Sequence, residues 1–442
     1  MTSKRWLAPA TVGAAGVGAL LLVQVLQPVV WPGSPFAAGA PTRVVAQMVP
    51  APPRLSSHER AHLQHVLDEV VTEGSSGAVA QLVETGKGGS DSWTGVAGVA
   101  DRSTGAPVDP DAHFRIASLS KPFVAATLLQ LVGEGRAELD DTVEQHLPGL
   151  VDGGAQITLE MLLSHTSGLF SYNRAMPPVV EDPLRRWEPA ELVEIAEEQG
   201  PVFEPGTDVA YSNINYVLAA LVIESITGRP YAQEVRERII EPLGLTGTSI
   251  PEGPEMPEPV LRAYLAIRPA PGAPPEPVDI TEFDPSRWYG TAQIVSTVTD
   301  VNRFYTALFE GEVLDEGMLT EMLKVRATDE QGVGYGLGPR RQTLSCGVRV
   351  WMHSGNISGY RTWTVHTADR HVTLFQARFA EDPDPPAWKL IEAALCPSER
   401  SATAPPDGGR SPEPTPVPRP SEPSPEGGYD LPPPRREYEL DS

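Results

Sequence analysis

Apolar positions at a helical period open the folded part of the chain. Leu63, Val66, Leu67, Val70 and Val71 form one stripe behind a capping box of Ser56 and Glu59, which predicts a helix over residues 57–73 stopped by Gly74. The period then shortens to two, and strands are expected over residues 78–83 and 93–99 around a glycine-rich turn. From about residue 118 to 325 the helical period returns. Helices are expected over 121–131, 159–164, 189–199, 215–227, 231–240 and 301–309, separated by long loops. Proline-rich stretches such as 251–277 can continue neither a helix nor a central strand. Beyond Gly332 strands resume at 348–352, 362–366 and 371–377, the last two joined at Ala368-Asp369, and a helix over 387–395 follows.

Strands from the two ends of this region should meet in one sheet. The fold class predicted is therefore α+β: an antiparallel sheet flanked by helices, plus an inserted, mostly helical lobe, with a site in the cleft between them. No internal repeat interrupts this pattern.

The two ends of the chain read differently. Lys4 and Arg5 precede an apolar run from about Ala8 to Val30, with small residues at Ala37, Ala38 and Ala40 and a second cleavage option near Val44-Val45-Ala46. Residues 1–46 are thus expected to be a signal peptide, or an N-terminal anchor with a linker if it stays uncleaved; Pro41 makes cleavage after Ala40 awkward. The reading adopted is export with cleavage, so that membrane contact arises only if the segment is retained. No cysteine follows the run to carry a lipid, and Arg5 lacks the second arginine of a twin-arginine signal. Residues 398–442 are dense in Pro, Ser, Glu and Gly and are expected to form a disordered, partly polyproline spacer.

Charge narrows the partners. Lysine and arginine total 34 against 58 aspartate and glutamate, a net charge of −24, which argues against nucleic acid and for a solvated acidic surface.

Candidate chemistry starts at Ser118-Leu119-Ser120-Lys121. A Ser-x-x-Lys alone should arise about once in a chain of this length. Here an extended run, Phe114-Arg115-Ile116-Ala117, leads into it and a helix leads away. Ser118 would then sit at a helix N-terminus, which favours developing negative charge, with Lys121 one turn on and within reach of its oxygen. An activated serine nucleophile needs that arrangement. Tyr211-Ser212-Asn213 and His353-Ser354-Gly355 follow in a workable order.

With these motifs the chain resembles the penicillin-recognising serine hydrolases, in the branch of D-alanyl-D-alanine carboxypeptidases related to class C β-lactamases. The likeness runs through Phe114 to Lys121, His165-Thr-Ser-Gly-Leu169, Tyr211-Ser-Asn213, Gly334-Tyr-Gly-Leu-Gly338 and His353 to Tyr360. It implies that residues 47–397 form the serine hydrolase domain. It also implies Ser118 as nucleophile, and Lys121 and Tyr211 as proton-transfer groups, with the primary base left open between them. Asn213 would bind the substrate's amide, and the N–H of Asn356 would pair with that of Ser118 as an oxyanion hole. His353, Ser354 and Gly355 occupy the place of the family's basic, hydroxyl or small, glycine triplet. A histidine there should tie turnover to pH near neutrality, and Gly355 should let the substrate backbone approach. Arg340, with Arg341 beside it, is the candidate for capturing a terminal carboxylate. Trp288 either lines the cleft or belongs to an apolar cluster. Cys346 and Cys396, the only cysteines, are expected to be bridged in an exported protein and would pin the last helix to the sheet.

One motif argues for a different chemistry and fails on geometry. His58-Glu59-Arg60-Ala61-His62 has the H-E-x-x-H form, but at ~100° per residue His58, His62 and His65 fall opposite the apolar stripe, without an evident third ligand. No metal and no cofactor are expected. No G-x-S-x-G elbow is present either.

The sequence therefore points to an exported serine D-alanyl-D-alanine carboxypeptidase acting on peptidoglycan stem peptides, with a stem peptide or β-lactam as ligand and a monomeric state. A β-lactamase, or a serine esterase or D-amino-acid amidase on the same scaffold, is the alternative; a non-catalytic penicillin-binding sensor ranks last.

Overall fold

In a computed structural model, which describes residues 55–72, 75–86, 89–267, 276–378 and 385–396, the expected capping box forms. Ser56 N–H reaches Glu59 Oε2 at 2.9 Å and Glu59 N–H reaches Ser56 Oγ at 3.1 Å. It starts α1 (Ser57–Thr72), which buries Leu63, Val66, Leu67 and Val70 and turns His58 and His65 to solvent. The expected leader (1–46) and proline-rich tail (398–442) lie outside the described residues.

The main sheet contains β1 (Ser75–Gly86), β2 (Gly89–Asp101), β3 (Ala106–Pro107), β4 (Ala327–Thr328), β5 (Gly334–Tyr335), β6 (Arg340–Thr343), β7 (Arg349–Ile357), β8 (Tyr360–His366) and β9 (Arg370–Arg378). Their order is β3-β2-β1-β9-β8-β7-β6-β5-β4. Strands from the two ends of the domain thus join where β1 pairs antiparallel with β9, with Val79 opposite Phe375. Between them lies the helical lobe, so the fold is α+β with the predicted insertion.

Alternation assigns the two faces of the sheet. Ala78, Ala80, Leu82, Met352, Val365 and Leu374 pack with α1 and the last helix, α6 (Pro385–Leu395). Val79, Ile357, Tyr360 and Phe375 face the other way and join the core of the lobe. That core is built around α2 (Lys121–Gly133) and α4 (Ile214–Thr227), with α3 (Pro189–Glu197) and α5 (Val298–Phe309) around them. The single stripe predicted for α2 understates its burial: Lys121 to Leu129 are buried on every side, as a central helix requires.

Other differences have local causes. The first strands run longer than predicted because Ser75 and Gly77 before the predicted start, and Gly86 and Gly89 of the glycine-rich turn, still pair through their backbones. The helix expected over 231–240 continues from Tyr231–Val235 into a π-helical turn, Arg236–Ile240. Within the proline-rich 251–277 stretch a hairpin forms from Tyr264–Ile267 and Glu276–Asp279. Its second strand is exposed, which is where a sheet tolerates a proline such as Pro277.

Two links clamp the sheet to its outer helices. Cys346, in the turn between β6 and β7, is bonded to Cys396 at the end of α6. Arg370 is buried, pairs with Glu59 of α1 and Glu84 of β1 at 3.2 Å each, and donates to Ala394 O of α6 at 2.9 Å. The disulfide closes a span of 50 residues, worth roughly 4 kcal/mol by restriction of the unfolded chain. Reduction is expected to lower unfolding stability by about that amount, read from denaturant midpoints with and without reductant.

Beneath α5 the sheet carries a polar ladder. His366 Nδ1 meets His371 Nδ1 at 3.0 Å, His366 Nε2 meets Thr364 Oγ1 at 2.7 Å, and Thr373 Oγ1 donates to Asn302 Oδ1 at 2.7 Å. Burial pushes His371 down to about 4 and holds His366 well below the ordinary imidazole value of 6.5. Unfolded, both imidazoles take up a proton below 6.5, so this contribution to stability is complete above 6.5 and is lost as pH falls toward 4. For His371 the loss is on the order of 3 kcal/mol. The melting temperature should hold from pH 8 to 7 and drop between 6.5 and 4, with a smaller drop in His371→Asn; an unchanged slope in that variant would contradict the assignment.

Candidate active site

The turn that carries Ser118 is held from four sides. Phe114–Arg115 pairs with Val295–Ser296, and Ile116 N–H donates to Ile294 O at 3.0 Å. Ser120 Oγ donates to Ala117 O at 2.8 Å and accepts from Ile294 N–H at 3.3 Å. Thr362 Oγ1 on β8 donates to Ile116 O at 3.0 Å. Ala117 itself has a φ of 53°, a left-handed conformation that costs a residue with a Cβ roughly 1–2 kcal/mol and persists only where the surroundings impose it. Ser118 thus lies not at a simple helix N-terminus but in a 3₁₀ turn, Ala117–Ser120, that runs on into α2.

Gly355 explains how the turn comes so close to the sheet. A Cβ there would lie 2.7 Å from Ala117 Cβ, 2.9 Å from Ile116 O and 2.3 Å from Thr362 Oγ1. The sequence assigned this glycine to substrate approach; its contacts are with the turn that carries Ser118 and with Thr362.

Lys121 is fully buried, and its Nζ donates to Ser118 Oγ at 3.0 Å, Asn213 Oδ1 at 2.8 Å and Thr291 O at 3.4 Å. Three acceptors around three hydrogens suit an ammonium. Asn213 precedes α4 but its side chain does not cap it. Its Nδ2 donates to Asn173 Oδ1 at 2.8 Å, and its N–H donates to Ser171 Oγ at 2.8 Å. The amide oxygen expected to accept a substrate N–H is thus already engaged by Lys121, and one amide hydrogen is left for a substrate carbonyl.

The Tyr211 ring lies 4.7 Å from Lys121 Nζ and 5.7 Å from Arg340 Cζ. Arg340 is buried and donates to Ser354 Oγ at 2.5 Å, whereas Arg341 is exposed; of the two, Arg340 belongs to the site. His353 is fully buried 6.4 Å from the Tyr211 ring, and its Nδ1–H donates to Ser354 O at 2.7 Å, leaving Nε2 as an acceptor. Burial first, then Arg340 and Lys121, hold this imidazole well below its ordinary value. The expected change of charge near neutrality at His353 is therefore corrected: the residue stays neutral there. Trp288 is packed in the apolar cluster, the second of its two expected placements. It touches the site through its carbonyl, which accepts from Thr291 Oγ1 at 3.1 Å.

The backbone of β7 fixes a further feature. Leu344 N–H bonds Val348 O, so the ladder phase gives residues 350 and 352 to β6 and residues 353, 355 and 357 to β8. Since β6 begins at Arg340, opposite Met352, the N–H of Asn356 points past its end on the side away from β8. That N–H and the first N–H groups of the Ser118 turn are the donors an oxyanion would require.

The Beta-lactamase family profile matches residues 60–393. The chain is a member of the beta-lactamase family. Penicillin-binding protein 4* of Bacillus subtilis is 26% identical over 77% of this chain and 76% of its own length. The chain spans 55–66% of several other curated penicillin-binding and D-aminopeptidase relatives. Among solved structures, a D-stereospecific amidohydrolase from Streptomyces sp. is 38% identical with a TM-score of 0.68, covering 76% of this chain and 98% of its own. D-amino acid amidase from Ochrobactrum anthropi is 29% identical with a TM-score of 0.68, at 76% and 98% coverage.

Family membership accounts for the clustering of Ser118, Lys121, Tyr211, Asn213, His353 and Arg340. Several groups that build the site carried no role in the sequence reading. His165 was visible inside a motif, but Ser120, Ser171, Asn173, Thr291 and Thr362 are small polar residues without periodicity, and only the fold gives them partners. Gly355→Ala should slow acylation of Ser118 by about 100-fold through displacement of the turn, with the circular dichroism of the fold retained. A normal acylation rate in that variant would contradict the packing account.

Proposed function

We propose that this protein is an exported serine carboxypeptidase that removes the terminal D-alanine from peptidoglycan stem peptides. Ser118 Oγ attacks the carbonyl of the penultimate residue, and its proton passes to the oxygen of Tyr211, held as the phenolate beside the Lys121 ammonium. The oxyanion is met by the N–H groups of Ser118 and Asn356. As the C–N bond breaks, Tyr211 returns the proton to the leaving amine, and D-alanine departs. Water then adds to the acyl-Ser118 ester and regenerates the hydroxyl.

The observation that carries this reading is the sign of the field at the site. Burial first, and then the nearby Lys121 and Arg340, hold the imidazoles of His165 and His353 neutral, and the charges beside the Tyr211 ring are those of Lys121 and Arg340. A substrate carboxylate is stabilised by those charges, with Arg340, beside Ser354 on β7, as its partner. The free ammonium of an amino-acid amide is disfavoured by the same field. Export is supported by the apolar leader read in the sequence and by the Cys346–Cys396 bridge.

A D-stereospecific amidase is the second reading, favoured by the 38% identity to the Streptomyces amidohydrolase. Paired assays on a D-alanyl-D-alanine-terminated peptide and on a D-amino-acid amide separate the two. The carboxypeptidase reading expects the peptide to be preferred and Arg340→Ala to lower its kcat/KM by about 100-fold, a charged hydrogen-bonding pair being worth up to about 3 kcal/mol. Preference for the amide, with the peptide rate untouched by Arg340→Ala, would assign the protein to the amidases.

A further inference from the structure

His165 is a buried titratable side chain beside the site that the mechanism above does not use. Its backbone has a φ of 60°, the left-handed region, which a non-glycine residue enters only under constraint. Its ring lies on that of Tyr211, centroids 4.2 Å apart and planes 28° apart. Tyr216 and Tyr335 complete a cage around it at 5.4 and 5.9 Å. These rings come from different motifs, and each is anchored: Tyr216 OH donates to Leu163 O at 3.1 Å and Tyr335 OH to Asp329 Oδ2 at 3.3 Å.

The hydrogen bonds fix the tautomer. Ser212 N–H donates to His165 Nδ1 at 3.2 Å, and Asn215 Nδ2 approaches the same nitrogen at 3.3 Å. Asn215 Oδ1 already accepts from Ser167 Oγ at 2.6 Å, so its amide nitrogen is the side turned to His165. Nδ1 is therefore a lone-pair acceptor and the ring hydrogen is on Nε2, which has no partner among the described residues. Burial, with Lys121 and Arg340 nearby, keeps this ring neutral.

We infer that His165 is a positioning residue for Tyr211, holding the phenol in line with Ser118 by stacking under its ring and by accepting the N–H of the next residue, Ser212. This rests on the proposed acyl-serine reading, in which Tyr211 exchanges a proton with Ser118. The two contacts act on different degrees of freedom. The Nδ1 bond fixes the peptide plane between Tyr211 and Ser212, and the stack limits rotation of the phenol about its side-chain torsions. A tyrosine free to swing would still permit substrate binding, so the loss should fall on the chemical step and not on affinity.

Single-turnover release of p-nitrophenolate from p-nitrophenyl acetate, with enzyme in excess, reads that step. The plateau rate reports acylation, and the half-saturating enzyme concentration rises if part of the protein is inactive. His165→Asn keeps an acceptor near the Nδ1 position and tolerates the positive φ but removes the ring. His165→Phe keeps a ring and removes the acceptor. The plateau rate is expected to fall by about 10-fold in His165→Asn and about 100-fold in His165→Phe, at unchanged half-saturation. A plateau equal to that of the unaltered protein in His165→Asn, whether or not half-saturation rises, overturns the inference and leaves His165 a structural residue. Ser118→Ala run alongside keeps the two claims apart: release undiminished in that variant overturns the acyl-serine reading, and this inference with it.

Discussion

A buried ammonium organises this active site. Lys121 has no access to water, and an uncompensated charge in such a place would cost several kcal/mol. It donates to Ser118, Asn213 and Thr291, which come from the turn before α2, the start of α4 and the loop before α5. Those segments are 92 and 170 residues from Lys121 along the chain for the last two. The fold must bring them to one point, and each is held by its own contacts: Asn213 by Ser171 and Asn173, Thr291 by Trp288, Ser118 by the turn. The same cation that satisfies these acceptors lies beside the Tyr211 ring and favours removal of a proton from the serine and phenol oxygens around it.

The sheet supplies the second constraint. The strained Ala117 can stand against β7 only because Gly355 has no side chain, and Thr362 on β8 captures the carbonyl just before it. A single strand, β7, therefore does three things within four residues. His353 closes the site behind Tyr211, Gly355 seats the nucleophile's turn, and Asn356 aims its N–H past the end of β6. The short β6 matters as much, since a longer one would pair with that N–H and close the oxyanion position.

Most of the architecture was legible in the sequence, because it follows from burial patterns. The stripe of α1, the alternation in β1 and β2 and the return of strands after the helical insertion predicted the sheet and lobe correctly. Legibility failed where a residue's meaning depends on a distant partner. Gly355 looked like a concession to substrate and proved to be a seat for Ala117. His353 looked like a titrating group because an exposed imidazole would be one; full burial beside two cations makes it a neutral acceptor. Helix α2 read as one-sided because periodicity singled out the stripe, yet Pro122, Ala126 and Leu129 on the opposite face are buried as well. Ser171 and Thr362 gave no sign of their roles, and Ser120 stood inside the Ser118–Lys121 motif without one.

Covalent mapping tests the centre of this account most directly. The intact protein would be incubated with benzylpenicillin, its mass measured, and the adduct located by peptide mapping. One acyl group per chain, carried on Ser118 and absent when Lys121 is replaced by methionine in a folded protein, is the predicted result. An adduct on any other residue, or full acylation of Ser118 in the Lys121→Met protein, would contradict it.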